Sequence, residues 1–129
     1  MIFSDVFSGR EHEITDLFTA TFTASEGVEE GALIGGLVRD QMEGTAPDDI
    51  RVFTAWENGI PIAGAVFTRL TYAGDPRRVF LLSPMAVATD RQGEGIGQAL
   101  LRHALAALRE EGVDVAMTYG DPAFSGRGG

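Results

Sequence analysis

The chain has 129 residues, 44% hydrophobic and 22% charged, which fits one globular domain spanning 1–129 and leaves no room for a second. Nineteen acidic residues face ten basic ones, all arginine, and a net charge of −9 argues against a surface built on many nucleic-acid phosphate contacts. Cysteine is absent, which removes disulfides and thiolate metal sites, and no run approaches the roughly 20 apolar residues of a membrane-spanning helix. Met1 to Asp5 carries neither the basic region nor the apolar core of an export signal, so a soluble, cytoplasmic protein is the expectation. The acidic excess serves solubility first and mildly favours cationic substrates such as amines.

Ile2 to Val6 reads as a short first strand or an ordered arm. From Arg10 onward, Ile14, Leu17, Phe18 and Phe22 recur at helical spacing, and Ser25 or Glu26 marks the break. A second helix is predicted from about Val28 to Met42, with Val28, Leu33, Leu37 and Val38 as its apolar positions. Glu29 and Glu30 fall in its first turn, where the helix dipole favours negative charge. After turn residues Gly44 to Asp49 come two strands, Ile50 to Trp56 and Ile60 to Leu70. Asn58-Gly59 joins them, a pair that tolerates the positive φ of a type I′ hairpin turn. Gly74-Asp75-Pro76 then leads into a further strand, Arg77 to Ala88, which completes a three-stranded antiparallel meander. Pro84 in its middle has no N–H for a ladder and predicts an edge or a bulge.

Gln92-Gly93-Glu94-Gly95-Ile96-Gly97 follows that strand and opens an apolar-periodic segment, Ile96 to Leu108. A glycine turn at a helix start aims unpaired N–H groups and the positive end of the dipole at one point, which suits a phosphate. A nucleotide P-loop would end in Gly-Lys-Ser/Thr, but Gln98 and Ala99 follow Gly97 and the chain has no lysine. The dinucleotide fingerprint fits poorly too, because Gly93, Gly95 and Gly97 alternate. With a net negative chain, an anionic ligand must rest on the turn amides and on nearby arginines such as Arg91 and Arg102. Glu110-Glu111-Gly112 stops the helix, and Val113 to Tyr119 is a fifth strand. A strand–helix–strand crossover makes the last two strands parallel. The predicted fold is α/β, a mixed and mainly antiparallel sheet flanked by helices, with a parallel pair around the helix that follows the glycine turn.

The pattern Q-x-x-G-x-G behind a strand ending Pro84-Met85-Ala86-Val87 resembles the Gcn5-related N-acetyltransferase (GNAT) superfamily. With the segment Gly120-Asp121-Pro122-Ala123, the chain is similar over nearly its whole length to the YhbS-like subgroup. The resemblance implies that acetyl-coenzyme A is the cosubstrate and that no metal is needed. Its pyrophosphate would lie on Gln92, Gly93, Glu94, Gly95, Ile96, Gly97 and Gln98. Its pantetheine arm would lie beside Met85, Ala86 and Val87 as a pseudo-strand, with the N–H of Val87 or Met85 polarising the thioester. The acceptor would be a small-molecule amine or a protein amino group, with no nucleic acid or membrane partner. In the subgroup two aromatic residues and further strands follow Gly-Asp-Pro-Ala, whereas here Phe124 and Ser125 follow and the chain stops at Gly129. Truncation at the C-terminus, a partner filling the gap and a homodimer stay open.

By position, Ser125 stands where the subgroup has a tyrosine that can protonate the leaving thiolate, and a serine hydroxyl is a poor general acid. Tyr119 is the substitute candidate. Glu26, Glu29 and Glu30, in the region that borders the acceptor pocket in the family, are candidate bases. Two functions follow: an N-acetyltransferase working in a ternary complex, or a coenzyme A-binding module of the same fold with catalysis impaired. His103 and His12 read as packed or solvated, Trp56 as a cross-strand packing residue, and Glu94 as pointing outward.

Overall fold

The computed structural model describes residues 1–118. Five strands lie side by side in chain order: β1 (Ile2–Ser4), β2 (Ile50–Glu57), β3 (Ile60–Leu70), β4 (Val79–Val87) and β5 (Val115–Thr118). The first four are antiparallel neighbours, and β5 runs parallel to β4. Helices α1 (Glu11–Glu26) and α2 (Val28–Gly44) precede β2, and α3 (Ile96–Glu110) makes the crossover from β4 to β5. Asn58 and Gly59 turn the β2–β3 hairpin with φ of 53° and 75°, as their sequence predicts.

Strand alternation divides the core into two layers. Ile50, Val52 and Trp56 of β2 join Ile14 and Phe18 of α1 and Val38 and Met42 of α2. Phe53 and Ala55 point the other way, toward Ile96, Leu100, Ala104 and Leu108 of α3. The helices therefore cover both faces of the sheet.

Pro84 marks a bulge. Ala65 pairs with Met85 and Phe67 with Leu82, so three steps along β4 match two along β3. The extra residue resets the side-chain period of 2. Phe80 and Leu82 before the bulge and Met85 and Val87 after it all reach the α3 layer, while Ala86 joins the opposite one. Among the described residues, β5 pairs with β4 only from Val79 to Leu82, just short of the bulge.

Helix α2 departs from its predicted apolar face. Val38 is buried as expected, but Val28, Leu33 and Leu37 are 75%, 64% and 41% exposed, and the helix buries Gly31, Gly35 and Met42 in their place. The cause is close contact with α1. A Cβ on Gly31 would overlap Thr23 Oγ1 and come within 2.8 Å of the Thr19 carbonyl oxygen, and one on Gly35 would overlap Thr19 Oγ1. Small and hydroxyl residues form the seam, so hydrophobic periodicity does not report it. At the far end of the sheet, Gly112 adopts φ 91° after α3, and Glu111 ties that helix end to Arg51 at 2.9 Å and Arg78 at 3.1 Å.

The seam makes a paired prediction. Gly31→Ala must push backbone against backbone and should cost about 1–3 kcal/mol in urea unfolding. Gly36→Ala on the same helix has open space around its Cβ and should add up to about 1 kcal/mol through helix propensity. Equal effects at the two sites would refute this packing.

Candidate functional site

The end of α1, the bulged half of β4, the glycine turn and the start of α3 converge on a groove of about 410 Å³. Thr21, Phe22 and Ser25 line it from α1, and Leu82 to Val87 from β4. Arg91, Gln92, Gly93, Ile96 and Gly97 complete the lining. Of the predicted cofactor residues, Met85, Ala86, Val87, Gln92, Gly93, Ile96 and Gly97 are thus brought together. Glu94, Gly95 and Gln98 are exposed beside the groove and do not line it.

The backbone of β4 has a defined orientation here. The Ala88 N–H donates to the Ile62 carbonyl at 2.8 Å, so by alternation the peptide groups of Val87 and Met85 face away from β3. The Val87 carbonyl on that outer side accepts from Gln92 Nε2 at 3.0 Å. Gln92 therefore clips the turn to the strand end. On the other side of the strand, Gln41 Nε2 of α2 donates to the Ser83 carbonyl at 3.3 Å and holds the bulge.

The turn needs its glycines for two reasons. Gly93 and Gly95 have φ of 84° and 81°, in the left-handed region that side chains disfavour. Gly97 lies so close to β4 that a Cβ would stand 3.1 Å from Val87 Cγ2 and 3.4 Å from Met85 Cε. The helix end carries no side-chain cap, and the first N–H bonded within the helix is that of Ala99, to the Gly95 carbonyl at 3.0 Å. The N–H groups of Ile96, Gly97 and Gln98 thus have no intrahelical acceptor, which is the donor set an anion uses.

Arg91 is not the free cation that the sequence suggests. Its Nη1 donates to Glu57 Oε1 at 2.7 Å and its Nε to Glu94 Oε1 at 3.1 Å. Hydrogen bonding to these two carboxylates makes the guanidinium hold its proton more tightly, and the hydrogen bond from Arg91 holds Glu57 below the usual carboxylate range. Arg102 is exposed on α3 and does not line the groove.

The candidate acid–base residues are placed unevenly. Glu26 is the exposed last residue of α1 and does not line the groove, although its neighbour Ser25 does. Glu29 and Glu30, in the first turn of α2, are also outside the lining. Tyr119 and Ser125 lie outside the described residues. Thr21 and Ser25, one helical turn apart, are groove residues that sequence reasoning missed; Phe22, an expected apolar position of the same helix, packs against the core and also lines the groove.

The remaining candidates have structural partners. His103 stacks on Phe3 with ring centroids 4.6 Å apart, and His12 Nε2 lies 3.2 Å from Asp16 Oδ2. Trp56 is buried, donates through Nε1 to Thr54 Oγ1 at 2.7 Å and carries the Arg10 guanidinium 4.1 Å from its ring centroid. Among the described residues no group of three or more His, Cys, Asp or Glu side chains could hold a metal ion, and no helix is long and apolar enough to cross a membrane.

A bulged β4 with a glycine turn and an uncapped helix start beside it matches the architecture of an acetyltransferase. The sequence profile of the Acetyltransferase (GNAT) family matches residues 11–123, and the chain belongs to that family. It is similar to the uncharacterized N-acetyltransferase YjhQ of Escherichia coli K12, at 28% identity over 119 residues, 91% of this chain and 62% of that protein. The chain thus spans less than two thirds of that relative. A GNAT family acetyltransferase from Brucella melitensis, solved in complex with acetyl-CoA, superposes with a TM-score of 0.83 at 26% identity, covering 99% of this chain and 80% of that one. The E. coli acetyltransferase YhbS, solved in complex with CoA, gives 0.82 at 24% identity, covering 99% and 67%.

The Glu57–Arg91 contact carries a pH prediction. Because the folded value of Glu57 is depressed, its contribution to stability is present above the ordinary carboxylate value and is lost as pH falls through the folded one. The thermal midpoint of the wild type should therefore fall more steeply than that of Glu57→Gln between about pH 5 and pH 3. Parallel profiles would show that the contact contributes nothing.

Proposed function

We propose that this chain is an acetyl-CoA-dependent N-acetyltransferase that acetylates a primary amine of a small molecule or protein by direct attack in a ternary complex. The observation that carries the reading is the outward orientation of the Met85 and Val87 peptide groups beside the uncapped start of α3. The residues present fit the cosubstrate: Met85, Ala86 and Val87 would hold the pantetheine arm as a pseudo-strand. The amides from Gly93 to Gln98, positioned by Gln92, would hold the pyrophosphate. When bound, the thioester supplies an activated acetyl group.

The N–H of Val87 or Met85 would polarise the thioester carbonyl, as a backbone donor fixed by packing needs no reorganisation. Thr21, Phe22 and Ser25 from α1 are the groove residues that would meet an acceptor and limit the access of water. A primary ammonium of pKa about 10 is only about one part in a thousand neutral at pH 7, so the acceptor must lose a proton before attack. Glu26 is the proposed base that takes this proton, and Tyr119 or Ser125 the proposed acid that returns one to the leaving thiolate. The second reading, a coenzyme A-binding module, is favoured by Ser125 at the position of the subgroup's tyrosine.

One pair of measurements separates them. Calorimetry should show saturable coenzyme A binding at one site per chain, and thiol release from acetyl-CoA should accelerate with at least one member of an amine panel. Binding without amine-dependent thiol release would support the module instead. Absence of coenzyme A binding would overturn both.

A further inference from the structure

Arg91 is the only charged residue among those lining the groove in the described part of the chain, and it is shared by two carboxylates. The two partners differ in their attachment. Glu57 ends β2 and meets the guanidinium with both oxygens, Oε1 at 2.7 Å from Nη1 and Oε2 at 3.4 Å from Nη2. Glu94 sits in the glycine turn itself, one residue before Gly95, and bonds Nε at 3.1 and 3.2 Å. Its side chain is 47% exposed against 37% for Glu57.

Two carboxylates against one guanidinium leave a net negative charge at the place where the turn offers its amides. An anionic ligand gains from the amides and meets repulsion from this cluster. A guanidinium presents five N–H donors in a planar fork suited equally to carboxylate and phosphate. A carboxylate on one edge of that fork therefore takes the place a phosphate oxygen would take.

We infer that Glu94 is an internal competitor for Arg91: its carboxylate occupies guanidinium donors that a cofactor phosphate takes over, while Glu57 keeps Arg91 anchored at the groove. This rests on the reading of the groove as a coenzyme A site. Glu94 thereby lowers affinity for the cofactor and makes retention depend on a phosphate strong enough to displace it. Phosphate-free thiols gain nothing from the exchange. Neither Glu94 nor Arg91 is assigned a part in the chemical step.

Calorimetry on the whole chain tests this with coenzyme A and with pantetheine, which lacks the phosphates. Glu94→Gln should bind coenzyme A about two- to fivefold more tightly at low ionic strength, with the gain shrinking in high salt, and should bind pantetheine as the wild type does. Arg91→Met should bind coenzyme A more weakly than the wild type and leave pantetheine unchanged. Thermal midpoints check that both variants are folded. Unchanged or weaker coenzyme A binding by Glu94→Gln overturns the inference, as does an equal gain for pantetheine or wild-type affinity in Arg91→Met. Failure of the wild type to bind coenzyme A would instead remove the cofactor reading on which the inference stands.

Discussion

One extra residue in β4 governs the geometry of this molecule. Before the bulge at Ser83-Pro84, β4 is an ordinary internal strand between β3 and β5. After it, the side-chain parity is reversed, so Met85 and Val87 pack toward α3 and Ala86 toward α1 and α2. Proline enforces the break because it has no N–H to return to the ladder. Without the extra residue, Met85 and Val87 would face α1, and α3 could not seat Gly97 against them. The groove, the turn and the placement of α3 all follow from that shift.

The bulge is held from both directions. On the α2 side, Gln41 bonds the Ser83 carbonyl, and α2 is fixed against α1 by glycines that bring the two backbones close. On the α3 side, Gln92 bonds the Val87 carbonyl and Gly97 sits over Val87 and Met85. A site built on rigid elements keeps its donors in place before any ligand arrives, which is the condition for electrostatic preorganisation. The charges obey a different logic from the one composition suggests. Arg91, the arginine that lines the groove, is committed to two carboxylates, so the unpaired donors at the turn are those of the backbone.

Much of this was legible in the residues. Asn58-Gly59 located the hairpin, Pro84 marked the broken ladder, and the alternating glycines beyond Arg91 located the helix start, because each of these residue types has a narrow conformational meaning. Helix α2 was legible in extent and misleading in orientation. Leu33 and Leu37 looked like its core face, but sequence hydrophobicity cannot register a seam made by Gly31 and Gly35 against threonines. Arg91 was visible as a nearby cation, and its partner Glu57 was not, since 34 residues separate them and only the sheet brings them together. The contribution of α1 to the groove was hidden for the same reason. Thr21 and Ser25 acquire a role only when α1 crosses the end of β4.

The most direct measurement of the central idea is an amide NMR titration of the whole chain with coenzyme A. The bulge-and-turn account predicts saturable shifts concentrated at Met85, Val87 and Gly93 to Gln98, with the α1–α2 seam at Gly31 and Gly35 undisturbed. Shifts centred elsewhere, for example on the exposed Leu33 and Leu37 of α2, or no saturable shift at Met85 and Val87, would contradict it.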